Sequence, residues 1–133
     1  MISGVNHITI AVNDLAESFH FYTHYLSMKP QAKWRTGAYL TLGDLWFCLS
    51  VDNAKPSEDY SHIALTVASE HFPLVKKRLE SVNVVQWKQN TSEGHSFYFL
   101  DPKGHKLELH VGSLASRLAS LKQAPYEGLE LFE

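Results

Sequence analysis

The chain holds a single cysteine, Cys48, in 133 residues. One thiol cannot close an intramolecular disulfide, and such a chain fits a reducing cytosol. An excess of one charge is also missing: 12 Lys and Arg stand against 14 Asp and Glu, for a net charge of −2. That balance gives no ground to expect nucleic acid or an anionic membrane as a partner. No apolar run reaches the length of a membrane span, and no signal-peptide pattern opens the sequence. The expectation is a cytoplasmic, globular protein of one domain, with 44% hydrophobic residues to build a core. What the chain does have is eight histidines and many aromatics, with three Trp, six Tyr and seven Phe.

Two of the histidines occupy matching places. Residues 6–12 read NHITIAV and residues 61–67 read SHIALTV. Around them the same order of elements is predicted twice. In the first half, a strand over Val5–Val12 is followed by Asp14 and Glu17 as a helix cap. A helix over 15–27 carries Phe19, Tyr22 and Leu26, and strands follow over 31–35, 38–42 and 45–51. In the second, Ser61–Val67 is a strand and Ser69 caps a helix carrying Phe72, Val75 and Leu79. Strands at Val84–Lys88, Ser96–Leu100 and Lys106–Val111 complete it, with a tight turn at Asp101-Pro102-Lys103-Gly104. The fold class is therefore α+β: two βαβββ repeats, about 4–51 and 61–112, form a curved cup with helices outside. Residues 52–60 link them, and a C-terminal helix begins near Ser113 and leads into a tail.

Alternation along the strands separates two faces. Ile8, Ile10 and Val12 share one face in the first copy, leaving His7, Thr9 and Ala11 on the other. Ile63, Leu65 and Val67 oppose His62, Ala64 and Thr66 in the second. The last strand puts Leu107, Leu109 and Val111 against Lys106, Glu108 and His110. A carboxylate in mid-strand is costly to bury without compensation. If the half-sheets face each other, His7, His62 and Glu108 converge as two imidazoles and a carboxylate, a facial triad with open metal positions. His105 and His110 remain competing ligands. A histidine on a strand is more often a hydrogen-bonded structural residue, and Cys48 reads as a small buried hydrophobe.

The paired NH-type strands with DPKGHKLELHVG resemble the vicinal oxygen chelate superfamily. More closely, GAYLTLGDLWFCLS, WKQNTSEGHSFYFLDPKGHKLELHVG and the SRLAS and KQAPYEGL segments resemble the fosfomycin-resistance glutathione transferases, the FosA family, across nearly the whole chain. The resemblance implies a Mn2+-dependent, K+-activated homodimer with domain-swapped pairing and metal sites shared between subunits. Its substrates would be fosfomycin and glutathione. It implies His7, His62 and Glu108 as metal ligands, with Thr9 beside the metal and Tyr39 near the thiol. It further implies Lys88, Ser92, Tyr98 and Arg117 around the phosphonate, and Trp34, Trp46 and Ser50 on the thiol side of the pocket. Asn90, Ser92, Glu93, Gly94 and Ser96 would form the potassium loop, a hard-cation site built of oxygens. His95 stands where the family often has an acidic or small residue, and Ile63 where it often has an aromatic. In hydrolase relatives a carboxylate near Asp44 activates water, so epoxide hydrolysis is the alternative, beside transfer of bacillithiol or cysteine. An extradiol dioxygenase and a non-catalytic drug-binding module are the rivals from other classes.

Overall fold

The structure is a computed structural model that describes residues 1–91 and 94–132. Strand β1 (His7–Val12) enters helix α1 (Leu15–His20), capped by Asp14, whose side chain accepts from the Glu17 amide. The predicted helix over 15–27 is not regular. After His20 the backbone widens into a π-helical turn at Phe21–Tyr25, closed by a bond from the Leu26 amide to the Phe21 carbonyl. Phe21 and Tyr22, three and four residues after the buried Ser18, share the face turned to the core. Strands β2 (Lys29–Trp34), β3 (Gly37–Leu42) and β4 (Leu45–Val51) complete the first half.

The second half repeats the order with β5 (Ile63–Thr66), α2 (Phe72–Ser81), β6 (Gln86–Lys88), β7 (Ser96–Leu100) and β8 (Lys106–His110). Two expectations need correction here. Strand β5 starts after His62, so that histidine stands at the mouth of the strand. Helix α2 begins after His71 without a side-chain cap, not at Ser69; Pro73 in its first turn supplies the start signal instead. Helix α3 (Leu114–Gln123) starts at Ser113 with a full capping box to Ser116, as the sequence suggested.

The strands form two separate four-stranded sheets, β1-β4-β3-β2 and β5-β8-β7-β6. In each, the first strand pairs in parallel with the last and the others pair antiparallel. Ile10, Val12, Leu40, Phe47 and Leu49 from the first sheet join Leu65, Phe97, Phe99, Leu107 and Leu109 from the second, with Phe21, Tyr22, Phe72 and Leu79, in one contiguous core. The aliphatic faces thus bury as parity predicted. Two polar ties join the halves: the Tyr22 hydroxyl donates to Asp101 Oδ2 at 2.7 Å, and His105 Nε2 donates to the Ala11 carbonyl at 2.6 Å. Asp101 Oδ1 also accepts from the amides of Lys103, Gly104 and His105, which shapes the predicted turn. His105 is therefore a structural residue, and it leaves the set of competing ligands.

Candidate functional site

Both sheets keep their second face away from the shared core, and the candidate residues fall on those faces. On the first sheet the register pairs His7 with Trp46, Thr9 with Cys48, Ala11 with Ser50, and Tyr39 with Cys48. His7 packs on Trp46 with ring centroids 4.4 Å apart, Trp46 on Tyr39 at 5.2 Å and Tyr39 on Trp34 at 4.7 Å. His7, Thr9, Trp34, Tyr39, Trp46 and Ser50 therefore share one face, and all but the half-buried Trp46 are exposed. Asp44 lies off this face, exposed in the two-residue Gly43–Asp44 hairpin where Gly43 takes φ +56°. It is a turn residue.

The second sheet carries the other cluster. Glu108, on the inner strand β8, is flanked on its own face by Ala64 and Tyr98. Ala64 is small enough to leave room beside the carboxylate. Glu108 is 6% exposed, so its charge needs partners, and it has them. His62 Nε2 lies 3.0 Å from Oε1, and the Ser96 hydroxyl donates to Oε2 at 2.7 Å. Lys88 and Tyr98 pair across β6 and β7, and with His62, Glu108, Arg117, Tyr60, Thr91 and Tyr126 they line a cleft of about 510 Å³. The Lys88 ammonium sits 4.5 Å from the Tyr60 ring and 4.9 Å from the Tyr98 ring, and donates to the Tyr60 hydroxyl at 2.5 Å. That hydrogen bond raises the Lys88 pKa above its ordinary value and keeps the group cationic.

The ring nitrogens test whether a metal fits. His62 Nδ1 lies 2.8 Å from the Tyr60 carbonyl, which can only accept, so Nδ1 carries a proton. In the neutral ring Nε2 is then a lone pair aimed at a carboxylate oxygen. Two acceptors 3.0 Å apart call for a proton or a cation between them. His7 Nδ1 is likewise held, by Asn6 Oδ1 at 2.7 Å. Both imidazoles are oriented from behind in the manner of metal ligands, and the donor set of two nitrogens and an oxygen suits a divalent ion.

Within one chain, however, His7 does not join the pair. Among the described residues no group of three or more His, Cys, Asp or Glu gathers to hold a metal. The expected convergence inside a single cup fails because each candidate face lies on the far side of its sheet from the common core. The repeat also shows what the first half lacks. His62 precedes Ala64, the partner of Glu108, by two residues; His7 precedes Thr9 by two, and the partner of Thr9 is Cys48. A buried thiol stands where the second half has its carboxylate.

The expected potassium loop is described in part. Asn90 donates from its side chain to the Gly94 carbonyl at 2.9 Å, and Gly94 takes φ +73°. Ser92 and Glu93 lie outside the described residues. Ser96 spends its hydroxyl on Glu108. Sequence reasoning missed Tyr60, placed in the linker, and Tyr126, placed in the tail. Tyr60 immediately precedes the SHIALTV strand and Tyr126 sits within KQAPYEGL, so position beside a motif was the available signal.

The Glyoxalase/Bleomycin resistance protein/Dioxygenase superfamily profile matches residues 4–109. The chain belongs to that superfamily. It is 56% identical to the glutathione transferase FosA of Serratia marcescens, over 97% of this chain and 95% of that protein. It is 36% identical to the metallothiol transferase FosB of Staphylococcus epidermidis, over 93% and 94% of the two chains. Among solved structures, a Glu-to-Gln mutant of the fosfomycin resistance protein FosX from Listeria monocytogenes superposes with a TM-score of 0.81. It is 28% identical over 89% of this chain and 99% of that one, and was solved with Mn(II) and dihydroxypropylphosphonic acid.

Proposed function

We propose that the protein is a Mn2+-dependent glutathione S-transferase that opens the epoxide of fosfomycin and so inactivates it. The observation that carries this reading is the cleft on the second sheet. There a histidine–carboxylate pair, whose facing acceptors call for a proton or a cation between them, lies beside the positive charges of Lys88 and Arg117. A small phosphonate dianion needs that combination. The high identity to a glutathione transferase over nearly the full chain favours glutathione over other thiols.

His62 and Glu108 of one chain, with His7 contributed by a second copy, would hold the metal. When bound, it supplies Lewis acidity at the epoxide oxygen. Lys88, Tyr98 and Arg117 bind the phosphonate, with Ser92 from the adjoining loop. Lys88 is already fixed between two aromatic rings, so little side-chain freedom is lost on binding. The first sheet brings the thiol side. Tyr39 donates to the glutathione sulfur and favours the thiolate. Trp34, Trp46 and Ser50 line its path, and the Thr9 hydroxyl faces the ring-opening oxygen. The sulfur forms a bond to an epoxide carbon as the C–O bond breaks, and the released alkoxide takes a proton from water. A potassium ion at Asn90, Ser92, Glu93, Gly94 and Ser96 adds positive charge near the phosphonate.

Mass spectrometry of the products formed from fosfomycin with Mn2+ and K+, with and without glutathione, tests the reading. A glutathione adduct that requires every component is the expected result. A diol formed without thiol would make the protein a hydrolase. An adduct formed with bacillithiol or cysteine in preference to glutathione would change the co-substrate.

A further inference from the structure

Glu108 has two oxygens, and they face different partners. Oε1 faces His62 Nε2, on the side where a metal ion belongs. Oε2 accepts from the Ser96 hydroxyl at 2.7 Å, and Ser96 Oγ in turn lies 2.6 Å from His110 Nδ1. The Ser96 hydroxyl has one proton, and the carboxylate takes it. The contact at 2.6 Å therefore requires His110 Nδ1 to be the protonated nitrogen and to donate to Ser96 Oγ. The same N–H lies 3.3 Å from Oε2 as a secondary donor. His110, two residues along β8 from Glu108 and on the same face, pairs directly with Ser96 across the β7–β8 ladder.

We propose that His110 is a positioning residue for the metal site: through Ser96 it pins Oε2, so that Glu108 presents Oε1 alone to the ion. A carboxylate with one oxygen tied back ligates through the other. That spares a coordination position for the bidentate approach of a phosphonate and its epoxide oxygen. Released from Ser96 and His110, the carboxylate could rotate about its last bond, chelate through both oxygens or turn away. The rear of the ring is confined as well. The chain at 94–95 docks on 110–111: the Val111 amide donates to the His95 carbonyl at 2.9 Å. A Cβ at Gly94 would meet the Val111 carbonyl oxygen at 2.5 Å and lie 3.9 Å from His110 Cε1. The imidazole thus has little freedom to leave Ser96. This role rests on the proposed metal-binding reading of His62 and Glu108 and adds to it a residue that is not itself a ligand.

The test is Mn2+ affinity, read from the free-ion EPR signal in titrations of wild type, His110→Ala, His110→Asn and His110→Gln, with no fosfomycin present. Loss of a residue that orients a metal ligand weakens binding by about 10- to 100-fold. His110→Ala should show that loss, while His110→Asn, whose amide N–H stands near the position of Nδ1, should recover most of it. His110→Gln, with its donor nearer Nε2, should not. Activity plotted against Mn2+ concentration should shift in the same direction, and its plateau should fall where a released carboxylate takes the position the substrate needs. If His110→Ala fails to fold, the Asn–Gln pair carries the comparison, since both keep polar bulk. Equal Mn2+ affinity in all four proteins would overturn the positioning role and leave the metal site standing. A wild-type protein that binds no Mn2+ would overturn the metal reading as well.

Discussion

Among the described residues Glu108 is the one carboxylate in a mid-strand position facing away from the shared core, and His62, Ser96 and His110 all lie against its oxygens. Glu108→Gln keeps the shape and removes the anion. Mn2+ binding should fall by more than the roughly hundredfold that loss of an orienting neighbour produces, and calorimetric titration would read it. Thermal stability should change little, because the Gln amide can still accept from Ser96. Lys88→Met should act differently. The long apolar stem can still lie between Tyr60 and Tyr98, so Mn2+ affinity should hold while KM for fosfomycin rises by an order of magnitude or more. Steady-state kinetics with saturating Mn2+ separates the two roles, since a structural lysine would leave KM unchanged.

At the scale of elements, the widened turn of the first helix and the β7–β8 turn lock together through Tyr22 and Asp101. Tyr22 is fully buried, and Asp101 is 5% exposed with four donors around its two oxygens. Tyr22→Phe strands Oδ2 of a buried carboxylate and should cost about 1–3 kcal/mol in urea unfolding. The same pair sets a pH dependence. Burial, then the Asp101 charge, raises the Tyr22 pKa well above its ordinary value of 10.0, so the folded protein keeps the phenol neutral. The unfolded chain releases that proton first. The contribution of this pair to stability should therefore be level below pH 10 and fall as the pH climbs above it, and Tyr22→Phe should flatten that alkaline slope. Equal slopes for wild type and variant would show that other groups govern alkaline unfolding.

For the whole molecule, the chain leaves one candidate half-site on each sheet. On the first, Trp34 of β2 and Tyr39 of the neighbouring β3 are 43% and 39% exposed, and β2 is exposed along its whole length. An aromatic face and an open edge of this kind suit contact with another chain. If the first sheet of one copy faces the second sheet of another, each site draws His7 from one chain and His62 and Glu108 from its partner. Mixing His7→Ala protein with Glu108→Ala protein, after unfolding and refolding together, should then restore activity. Random pairing gives one intact site in half of the dimers, or about a quarter of wild-type activity. No recovery from two inactive parents that refold as dimers would overturn the shared site.

Much of this protein could be read from local pattern. The doubled NHITIAV and SHIALTV strands announced the βαβββ repeat, strand parity sorted the core face from the opposite one, and Asp14, Ser113 and the Asp101 turn marked ends that the structure keeps. These are short-range rules: periodicity, capping and turn chemistry act within a few residues. The π-helical turn was not legible, because Phe19, Tyr22 and Leu26 keep the spacing of a regular helix and nothing local marks the widening. Tyr60 and Tyr126 were missed because their partners Lys88 and the cleft come from elsewhere in the sequence. The role of His105 as a donor to Ala11 was settled by packing between the halves. Above all, periodicity placed His7, His62 and Glu108 on the faces opposite the aliphatic ones but could not say where those faces would point. The shared core decided that, by burying both aliphatic faces together and turning the two halves of the site outward.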